Sequence, residues 1–316
     1  MNRVIMLAAA LTITLRLTAP AAEQVDGKVI YGSDDRIDLH QTNDARLLSL
    51  ADSTVALLRS SSVEIAGDVA KLKTESYSAR KNLCASEPFY GQVTAAFCSG
   101  SLIAPDIIMT AGHCVTSEQN CAGTKFIFGF SIKEKDKVPN TVAACDVYGC
   151  KQLLGREEEG NGADWALIKL DRPVTGHTPL ALNRTRVIEN KTPLVVIGHP
   201  AGLPTKIAGG ARVRDASPNG FFVANLDTYS GNSGSAVFNS VTGLIEGILV
   251  RGEQDYVTRG SCNVSKVCAE DACRGEDVTK ISAVVDKLPG ALHLSRASEP
   301  GPAIVSLQDA VSDSRP

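Results

Sequence analysis

Short apolar runs separated by turn residues fill most of the chain from residue 93 to residue 250. No long run with the 3.6-residue period of an amphipathic helix lies between them. Many short strands without intervening long helices are typical of a β-sandwich or a β-barrel, so the pattern predicts an all-β fold. The predicted strands are Val93 to Ala96, Ser101 to Ile103, Ile107 to Thr110, Lys125 to Phe130, Ala166 to Leu170, Leu194 to Gly198, Ala208 to Val213, Phe221 to Leu226, Val237 to Phe238 and Gly243 to Val250.

The segments on either side of these strands have other patterns. Asp44 to Ala51 predicts a helix with Asp44 as its N-cap, and Thr54 to Leu58 predicts a strand. Between Ser60 and Tyr90 the chain is polar and mixed, which predicts an irregular loop. Val278 to Leu288 predicts a last strand that enters a terminal helix, and the composition after Pro289 is typical of a flexible tail.

The first residues have the pattern of a secretory signal peptide. Arg3 precedes an apolar run from Val4 to Leu15, and Ala19-Pro20-Ala21 is a small-residue cleavage site. Arg16 interrupts the run, which is too short to span a membrane. We therefore expect a signal peptide at 1–22, an N-terminal segment with a short pro-region at 23–90, a main β domain at 91–289 and a flexible tail at 290–316.

Composition and charge exclude some classes of function. The chain has 316 residues, 43% hydrophobic residues and a formal net charge of −3. This balance is typical of a globular protein with an ample core, and it gives no reason to expect a nucleic acid or an anionic membrane as partner.

Nine cysteines suit an oxidising compartment, which agrees with export. Cys145 and Cys150 flank a turn-like insert and are candidates to close a small hairpin. An odd total leaves at least one thiol free or intermolecular. The last three cysteines lack a CxxC step or a nearby histidine, and His199 has no ligand at suitable spacing, so we expect no metal site. The cysteines are at positions 84, 98, 114, 121, 145, 150, 262, 268 and 273.

Three short blocks carry candidate catalytic side chains. Glycines flank Ser233 in Tyr-Ser-Gly-Asn-Ser-Gly-Ser, a pattern that exposes a hydroxyl and directs backbone amides. A serine hydroxyl needs a base to take its proton, and that base needs a group to hold its tautomer. His113 in Thr-Ala-Gly-His-Cys and Asp164 at the start of Asp-Trp-Ala-Leu-Ile-Lys-Leu are the candidates. A core histidine, a strand-edge aspartate and a turn serine would explain each block alone, but not their order.

The blocks TAGHC, DWALIKL and GNSGS resemble, in this order, the catalytic blocks of the trypsin/chymotrypsin-fold serine endopeptidases, in particular the bacterial branch that includes the glutamyl endopeptidases. The resemblance implies two packed six-stranded antiparallel β-barrels with a short C-terminal helix, and a serine protease domain at 91–289. The segment from Val29 resembles the mature start of that branch, so Lys28 is a candidate processing site. The order of the blocks disfavours an α/β-hydrolase esterase.

The resemblance also assigns roles to residues. It makes Ser233 the nucleophile, His113 the general base and Asp164 the acid that orients the imidazole. It places the oxyanion hole at the backbone amides of Gly231 and Ser233. It implies a disulfide between Cys98 and Cys114, because the residues around Cys98 resemble the family's strand that is stapled to the histidine loop.

Two positions depart from the family pattern. Asn232 stands where animal digestive relatives have an aspartate that pairs with a new N-terminal amine, and an asparagine cannot form that ion pair. Val250 replaces a serine that supports the triad aspartate in many relatives, which puts the support of Asp164 in doubt.

The substrate pocket is less well defined by the sequence. The resemblance places Asp227, Thr228, Leu249 and Arg251 there. Asp227 lies where trypsin-like enzymes bind Lys or Arg at the cleaved residue, although glutamyl endopeptidases also carry Asp-Thr at these positions. Leu249 replaces the histidine with which those enzymes bind glutamate, which weakens a glutamate preference. Arg251 is a candidate contact for an acidic substrate residue or a cap of the strand edge.

The sequence as a whole predicts a secreted or periplasmic serine endopeptidase, with a preference for Lys or Arg as the leading option. We expect it to be a monomer that acts on proteins or peptides, with no cofactor, no nucleic acid partner and no membrane contact after signal removal. The alternative is a catalytically silent binding module of the same fold. Such proteins usually lose one triad residue, and this chain keeps all three. A narrow processing protease would have the same triad.

Overall fold

The short apolar runs form strands that close into two six-stranded antiparallel β-barrels, as predicted. The structure is a computed structural model that describes residues 29–288. The strands are β1 (Ile30–Tyr31), β2 (Arg36–Asp38), β3 (Thr54–Arg59), β4 (Val63–Ala66), β5 (Val69–Leu72), β6 (Glu75–Ser76), β7 (Val93–Thr94), β8 (Cys98–Ala104), β9 (Ile107–Thr110), β10 (Thr124–Ile127), β11 (Thr141–Ala143), β12 (Val147–Glu158), β13 (Asp164–Leu170), β14 (Pro193–Gly198), β15 (Lys206–Asp215), β16 (Phe221–Ala224), β17 (Ala236–Asn239), β18 (Ile245–Arg251), β19 (Tyr256–Arg259), β20 (Cys262–Ser265), β21 (Val267–Cys268) and β22 (Glu276–Lys280).

Helices are few and short in the described part of the chain. Asp44 caps the first helix as predicted, since its side chain accepts hydrogen bonds from the amides of Arg46 and Leu47. The predicted C-terminal helix is also present. The α-helices are α1 (Ala45–Asp52), α2 (Tyr77–Lys81), α3 (Glu118–Ala122) and α4 (Ser282–Val285), and short 3-10 helices lie at Leu39–Gln41, Ser60–Ser62, Ala144–Asp146 and Pro200–Gly202. None of the helices between residues 29 and 288 is long and apolar enough to cross a membrane.

The first barrel has the strand order β10-β12-β13-β9-β8-β3. β3 has no alternation of apolar and polar residues because both of its faces are buried. Val55 and Leu57 belong to the core cluster that contains most of the first barrel, whereas Ala56 and Leu58 pack in a separate cluster with the hairpin of β4 and β5. Successive side chains of a strand point to opposite faces, so a strand covered on both sides becomes a continuous apolar run.

The second barrel has the order β14-β17-β18-β22-β16-β15, and it closes where β15 pairs with β14. β2 pairs with β15 as an additional strand. Leu194, Phe222 and Leu249 pack together in the core of this barrel. Other residues of the second barrel, such as Phe238 and Ile248, share a core cluster with first-barrel residues, so the two barrels are packed through one apolar interface.

The prediction of an irregular loop from Ser60 to Tyr90 was wrong. This segment contains the β4–β5 hairpin, β6 and α2. The short strands escaped the pattern analysis because their outward residues are exposed and varied, and only every second residue of β5 is buried. The first barrel also requires β3 and the second carries β2, so the folded unit extends to the N-terminal side of the predicted boundary at residue 91. The predicted signal peptide, Lys28 and the tail from residue 290 lie outside the described residues.

Eight of the nine cysteines form disulfides, and Cys145 is free and exposed. The hairpin bridge suggested for Cys145 and Cys150 is wrong, because Cys150 lies in β12 and pairs with Cys121 of α3. The other pairs are Cys84–Cys262, Cys98–Cys114 and Cys268–Cys273. None of the three C-terminal cysteines therefore has a free thiolate for zinc.

Replacing Cys84 and Cys262 together with serine should lower the melting temperature of the protein. This bridge joins positions 178 residues apart and ties the segment after α2 to β20. Losing a native bridge of this kind costs about 2–4 kcal/mol of unfolding free energy. The matched control is Cys145→Ser, which should leave the melting temperature almost unchanged because this thiol is exposed and unpaired. Equal melting temperatures for the two variants would contradict the prediction.

Candidate active site

Ser233 lies in the loop between β16 and β17, next to the first barrel. The loop is built from tight turns, in which the amide of Asn232 donates to the carbonyl of Tyr229 and that of Ser235 to the carbonyl of Asn232. Gly234 has a φ of +88°, which favours glycine. A Cβ at Gly234 would also overlap the carbonyl oxygen of Ser99 in the first barrel. The glycine after Ser233 is therefore required both by its conformation and by the close approach of the barrels.

His113 and Asp164 are brought together by the pairing of β9 with β13. These strands are antiparallel with Ala166 opposite Thr110, so the start of β13 lies beside the end of β9. His113 Nδ1 is 2.6 Å from Asp164 Oδ2. Asp164 Oδ1 accepts hydrogen bonds from the amides of Gly112 at 2.5 Å and His113 at 3.2 Å. The carboxylate therefore holds both the imidazole ring and the backbone that carries it, and the ring's other nitrogen is directed away from Asp164.

Contacts between the loops bring Ser233 to the side of the first barrel that carries His113. The amide of Ser99 donates to the carbonyl of Ser233 at 2.8 Å. Cys114, which follows His113, places its sulfur 3.6 Å from the same carbonyl oxygen. Cys114 is bonded to Cys98, so the histidine loop is linked covalently to the strand that contacts Ser233. His113 and Asp164 are thus in direct contact, and the loop of Ser233 is bound to the segments on either side of the Cys98–Cys114 bridge.

The backbone of Asp164 is supported by Thr279 of β22, which the sequence analysis missed. The Thr279 hydroxyl accepts from the amide of Asp164 at 3.0 Å and donates to its carbonyl at 2.9 Å. Val250, the residue that raised doubt about this support, is buried in the core. Asp164 is therefore fixed by Thr279 and by the amides of the histidine loop. A lone threonine inside a strand carries no motif that could have identified this role.

The backbone conformation at Gly231 directs an amide away from the neighbouring loop. The carbonyl of Ser230 accepts from the amide of Ala201 at 2.6 Å. In a trans peptide the C=O and N–H bonds point in opposite directions, so the N–H of Gly231 points away from the loop at Pro200–Gly202. Gly231 has a φ of +99°, and a Cβ there would lie 2.7 Å from the carbonyl oxygen of His199. Any other residue would be strained and crowded at this position.

Two further side chains hold this loop in place. Ser99 donates its hydroxyl to the carbonyl of Gly231 at 2.8 Å and accepts from the amide of His199 at 2.9 Å. His199 is buried against Phe130 with Nδ1 3.0 Å from the carbonyl of Leu203, and burial lowers its pKa to about 4. His199 is therefore a neutral loop residue at ordinary pH. The sequence contained no signal for the contacts of Ser99, and only the glycine-rich setting of His199 indicated a loop residue there.

Asn232 is buried and takes part in a side-chain contact. Its Oδ1 accepts from the hydroxyl of Ser235 at 3.2 Å. The N-terminal strand binds elsewhere, since the carbonyl of Val29 accepts from the amide of Thr228. The Asn232 side chain is thus part of the serine loop itself.

Comparison with known proteins finds similarity over the part of the chain that holds the site. Residues 98–248 match a family model described as a trypsin-like peptidase domain. This part of the chain, which contains His113, Asp164 and Ser233, is thus similar to a trypsin-like peptidase domain. Among solved structures, a Glu endopeptidase in complex with MPD has 18% sequence identity and a TM-score of 0.48, covering 84% of this chain and 100% of its own. The active form of the Rv3671c protease from M. tuberculosis has 14% identity and a TM-score of 0.44, covering 92% of this chain and 100% of its own.

Asp227 is bound to the N-terminal segment of the fold. It is 4% exposed, and its two carboxylate oxygens accept from the amides of Tyr31 at 2.7 Å and Asp35 at 2.8 Å. The carboxylate therefore anchors the N-terminal strand to the serine loop. Both oxygens of Asp227 thus already accept main-chain hydrogen bonds, and its predicted place in the substrate pocket stays a prediction.

The other predicted pocket residues are buried or bound by neighbouring side chains and backbone. Leu249 is fully buried in the core of the second barrel. Arg251 donates to Asp277 at 3.1 Å and to the carbonyl of Gly162 at 2.8 Å, so it links β18 to the loop before Asp164. Thr228 is buried, and its hydroxyl donates to Glu276 at 3.2 Å. Glu276 had no signal in the sequence.

Metal binding has no support from the described residues. Two groups of side chains lie close enough together to hold an ion, one at Cys98, His113 and Cys114 and one at Glu118, Cys121 and Cys150. Every cysteine in these groups is in a disulfide, so none offers a thiolate while the bridges are intact.

Asp227→Asn should make the stability of the protein depend less on pH between about 4 and 8. Burial raises the pKa of Asp227 from 3.8 to about 8, against the two amides that lower it. In this range the folded protein therefore keeps a proton on Asp227 that the unfolded chain releases. The binding of this proton adds to the free energy of unfolding. Its contribution is complete below about pH 4 and is lost as the pH rises toward 8. The slope for one such proton is at most about 1.4 kcal/mol per pH unit.

Thermal unfolding of both proteins across this range measures the effect. Asp227→Asn removes one acceptor for an amide, so we expect a lower melting temperature with a flatter pH dependence. Parallel pH profiles for the two proteins would show that Asp227 ionises at its usual pH in the folded state.

Proposed function

We propose that the chain is a secreted serine endopeptidase that hydrolyses peptide bonds through His113, Asp164 and Ser233. The observation that carries this proposal is the contact of His113 Nδ1 with Asp164 Oδ2 at 2.6 Å. The next residue of the histidine loop, Cys114, contacts the carbonyl of Ser233. A trypsin-like peptidase domain that keeps this arrangement has the parts for nucleophilic catalysis.

In the proposed reaction the Ser233 hydroxyl attacks the carbonyl carbon of the peptide bond. His113 takes the hydroxyl proton as the new C–O bond forms, and then gives it to the nitrogen of the leaving amine as the C–N bond breaks. A water molecule then attacks the acyl-enzyme in the same way, with His113 taking its proton, and the free acid is released as Ser233 regains its proton. Asp164 keeps the proton of Nδ1 in place and stabilises the imidazolium that forms in each step.

The backbone amides of Gly231 and Ser233 are the proposed donors to the negative oxygen of the tetrahedral intermediate. Such donors act because they are already oriented before charge develops, and one donor is commonly worth a factor of about 10²–10³ in rate. The contacts that fix Gly231, from Ser99 and from the loop at Pro200–Gly202, support this role.

Export is part of the proposal. The four disulfides support an oxidising compartment, either the periplasm or the medium, and they agree with the expected signal peptide. A mechanism of this kind uses only side chains and backbone amides of the chain. The proposed substrates are proteins or peptides, and the proposed state is a monomer.

A fluorophosphonate with an uncharged alkyl group tests the function directly. The purified protein should gain the mass of one adduct, and Ser233→Ala should gain none, because only an activated serine reacts. If the folded wild type gives no adduct, the reaction is repeated after limited removal of the N-terminal segment. An adduct that then forms would identify an inactive precursor, whereas none in either form would favour a binding module of this fold and contradict the proposal.

Asp164→Asn should lower kcat by about 10⁴, because an asparagine at this position favours the wrong tautomer of the imidazole. KM should change much less, since Asp164 does not contact the substrate. Steady-state kinetics on a cleaved peptide measures both. Thr279→Val serves as a comparison, because it removes the hydroxyl that binds the Asp164 backbone but leaves the carboxylate in place. A smaller loss of kcat in this variant would distinguish the effect of positioning Asp164 from the effect of its charge. A kcat within tenfold of wild type for Asp164→Asn would rule out the triad.

A further inference from the structure

A buried carboxylate outside the triad binds the residue that precedes Gly231. Asp255 is 7% exposed, and both of its oxygens lie 3.2 Å from the amide nitrogen of Ser230. Its Oδ2 also accepts from the Ser230 hydroxyl at 2.7 Å. One side chain thus holds both the backbone and the side chain of Ser230. Asp255 had no signal in the sequence, because it lies 25 positions after its partner and belongs to no motif.

The carbonyl of Ser230 is bound on the opposite side. It accepts from the amide of Ala201 at 2.6 Å. This carbonyl and the N–H of Gly231 belong to one planar peptide group, so the contact that fixes the carbonyl also fixes the proposed oxyanion donor. Asp255 holds the amide end of Ser230 and Ala201 holds its carbonyl end. The two contacts together therefore restrict both backbone dihedral angles of Ser230.

The peptide group between Ser230 and Gly231 needs this support because it ends in a glycine. If the peptide group turned over, the Ser230 carbonyl would take the place of the N–H, and an acceptor would then face the negative oxygen of the intermediate. Such a rotation changes ψ of Ser230 and φ of Gly231, and glycine permits φ of either sign. The conformation with φ of +99° at Gly231 is thus maintained by the contacts of its neighbour.

Asp255 is placed by the hairpin of β19 and β20. It directly precedes β19, and its own carbonyl accepts from the amide of Lys266, the residue after β20, at 2.9 Å. The hairpin also contacts the serine loop through Tyr229. The ring of Tyr229 lies 4.9 Å from that of Tyr256 in β19, and its hydroxyl binds the hydroxyl of Ser265 in β20. The hairpin therefore presents Asp255 to Ser230 from a fixed position.

The helix α2 lies on another side of this carboxylate. Burial lowers the pKa of Lys81 in the last turn of α2, and the negative charge of Asp255 acts in the opposite direction. Lys81 also lies 5.7 Å from the centre of the Tyr256 ring. A positive charge is therefore close to the buried acid. Hydrogen bonds to an ionised acceptor are roughly twice as strong as those between neutral groups, so a carboxylate holds Ser230 more firmly than an amide would.

We propose that Asp255 is a positioning residue of the oxyanion hole, which keeps the N–H of Gly231 directed toward the carbonyl that Ser233 attacks. This inference rests on the proposed endopeptidase function. Asp255 acts through Ser230. Its loss should therefore weaken the stabilisation of the tetrahedral intermediate much more than the binding of the substrate.

Asp255→Asn should lower kcat for a cleaved peptide by about 10–10²-fold and change KM much less, because a displaced donor loses most of its effect on the intermediate. Asparagine keeps the shape of the side chain, but its NH2 group cannot accept a hydrogen bond. Glu87→Gln is the matched control. Glu87 accepts from the amide and the hydroxyl of Ser265 in the same hairpin. This variant should keep a kcat near the wild-type value.

A pair of ester substrates distinguishes the positioning of the oxyanion donor from a general loss of structure. The two esters are identical except that one has a C=O group and the other a C=S group at the bond that is attacked. Sulfur accepts hydrogen bonds weakly, so an oriented donor favours the oxygen ester. The preference for the oxygen ester in kcat/KM should fall by about tenfold or more in Asp255→Asn and stay at the wild-type value in Glu87→Gln.

The ester preference also decides against the inference. If Asp255→Asn loses kcat but keeps the full preference for the oxygen ester, Asp255 supports only the fold and the inference is overturned. An equal fall of the preference in Glu87→Gln would overturn it as well, because the effect would then belong to the hairpin as a whole.

Ser230→Ala covers the case in which Asp255→Asn does not fold, as judged from its melting temperature. This variant removes the hydroxyl that donates to Asp255 and leaves the backbone amide in place. It should lower the preference for the oxygen ester by about threefold or more, the effect expected for one lost hydrogen bond. An unchanged preference in folded Ser230→Ala would contradict a role that acts through Ser230.

Reaction with the fluorophosphonate separates this inference from the proposed function. If wild type forms no adduct on Ser233 in either the full-length or the trimmed form, the proposed function is wrong and the inference falls with it. If wild type forms the adduct and folded Asp255→Asn keeps the wild-type kcat, this inference alone is overturned.

Discussion

The carboxylate of Asp164 is the constraint on which the arrangement of the site depends. It accepts from the imidazole of His113 and from the amides of Gly112 and His113, so one side chain fixes the ring, its tautomer and the loop below it. A buried carboxylate is stable only when such donors surround it. A Cβ at Gly112 would lie 3.0 Å from Asp164 Oδ1 and would overlap the carbonyl of Glu157, so the approach also needs a glycine. Loss of the carboxylate would release the histidine loop as well as the ring.

The second requirement is a close junction of the barrels. Ser233 belongs to the second barrel, yet its carbonyl is bound by Ser99 of the first barrel and its neighbour Gly234 packs against the same strand. The Cys98–Cys114 bridge joins that strand to the histidine loop. The position of Ser233 relative to His113 is therefore set by short-range contacts at the junction, not by the distant parts of either barrel. This explains why the loop contains two glycines at positive φ, Gly231 and Gly234.

The sequence predicted those features that depend on local pattern. The strand runs, the cap at Asp44 and the three blocks around His113, Asp164 and Ser233 each carry their signal within a few residues. The pairing of Cys84 with Cys262 and the contact of Thr228 with Glu276 join residues 178 and 48 positions apart, and no local pattern identifies such partners. Family position also gave no sign of the hydrogen bonds that Asp227 accepts, since the N-terminal strand that binds it lies almost two hundred residues away in sequence.

One feature of the fold offers a built-in optical probe of the site. The chain has a single tryptophan, Trp165, which follows Asp164 in β13, is 4% exposed and donates its indole N–H to Glu157 at 2.9 Å. Its emission therefore comes from one position next to the triad. The one unpaired thiol, Cys145, accepts a maleimide acceptor dye without disturbing the four bridges. The unaltered protein thus carries a donor and an attachment point for an acceptor, and energy transfer between them would follow the first barrel during folding or inhibitor binding.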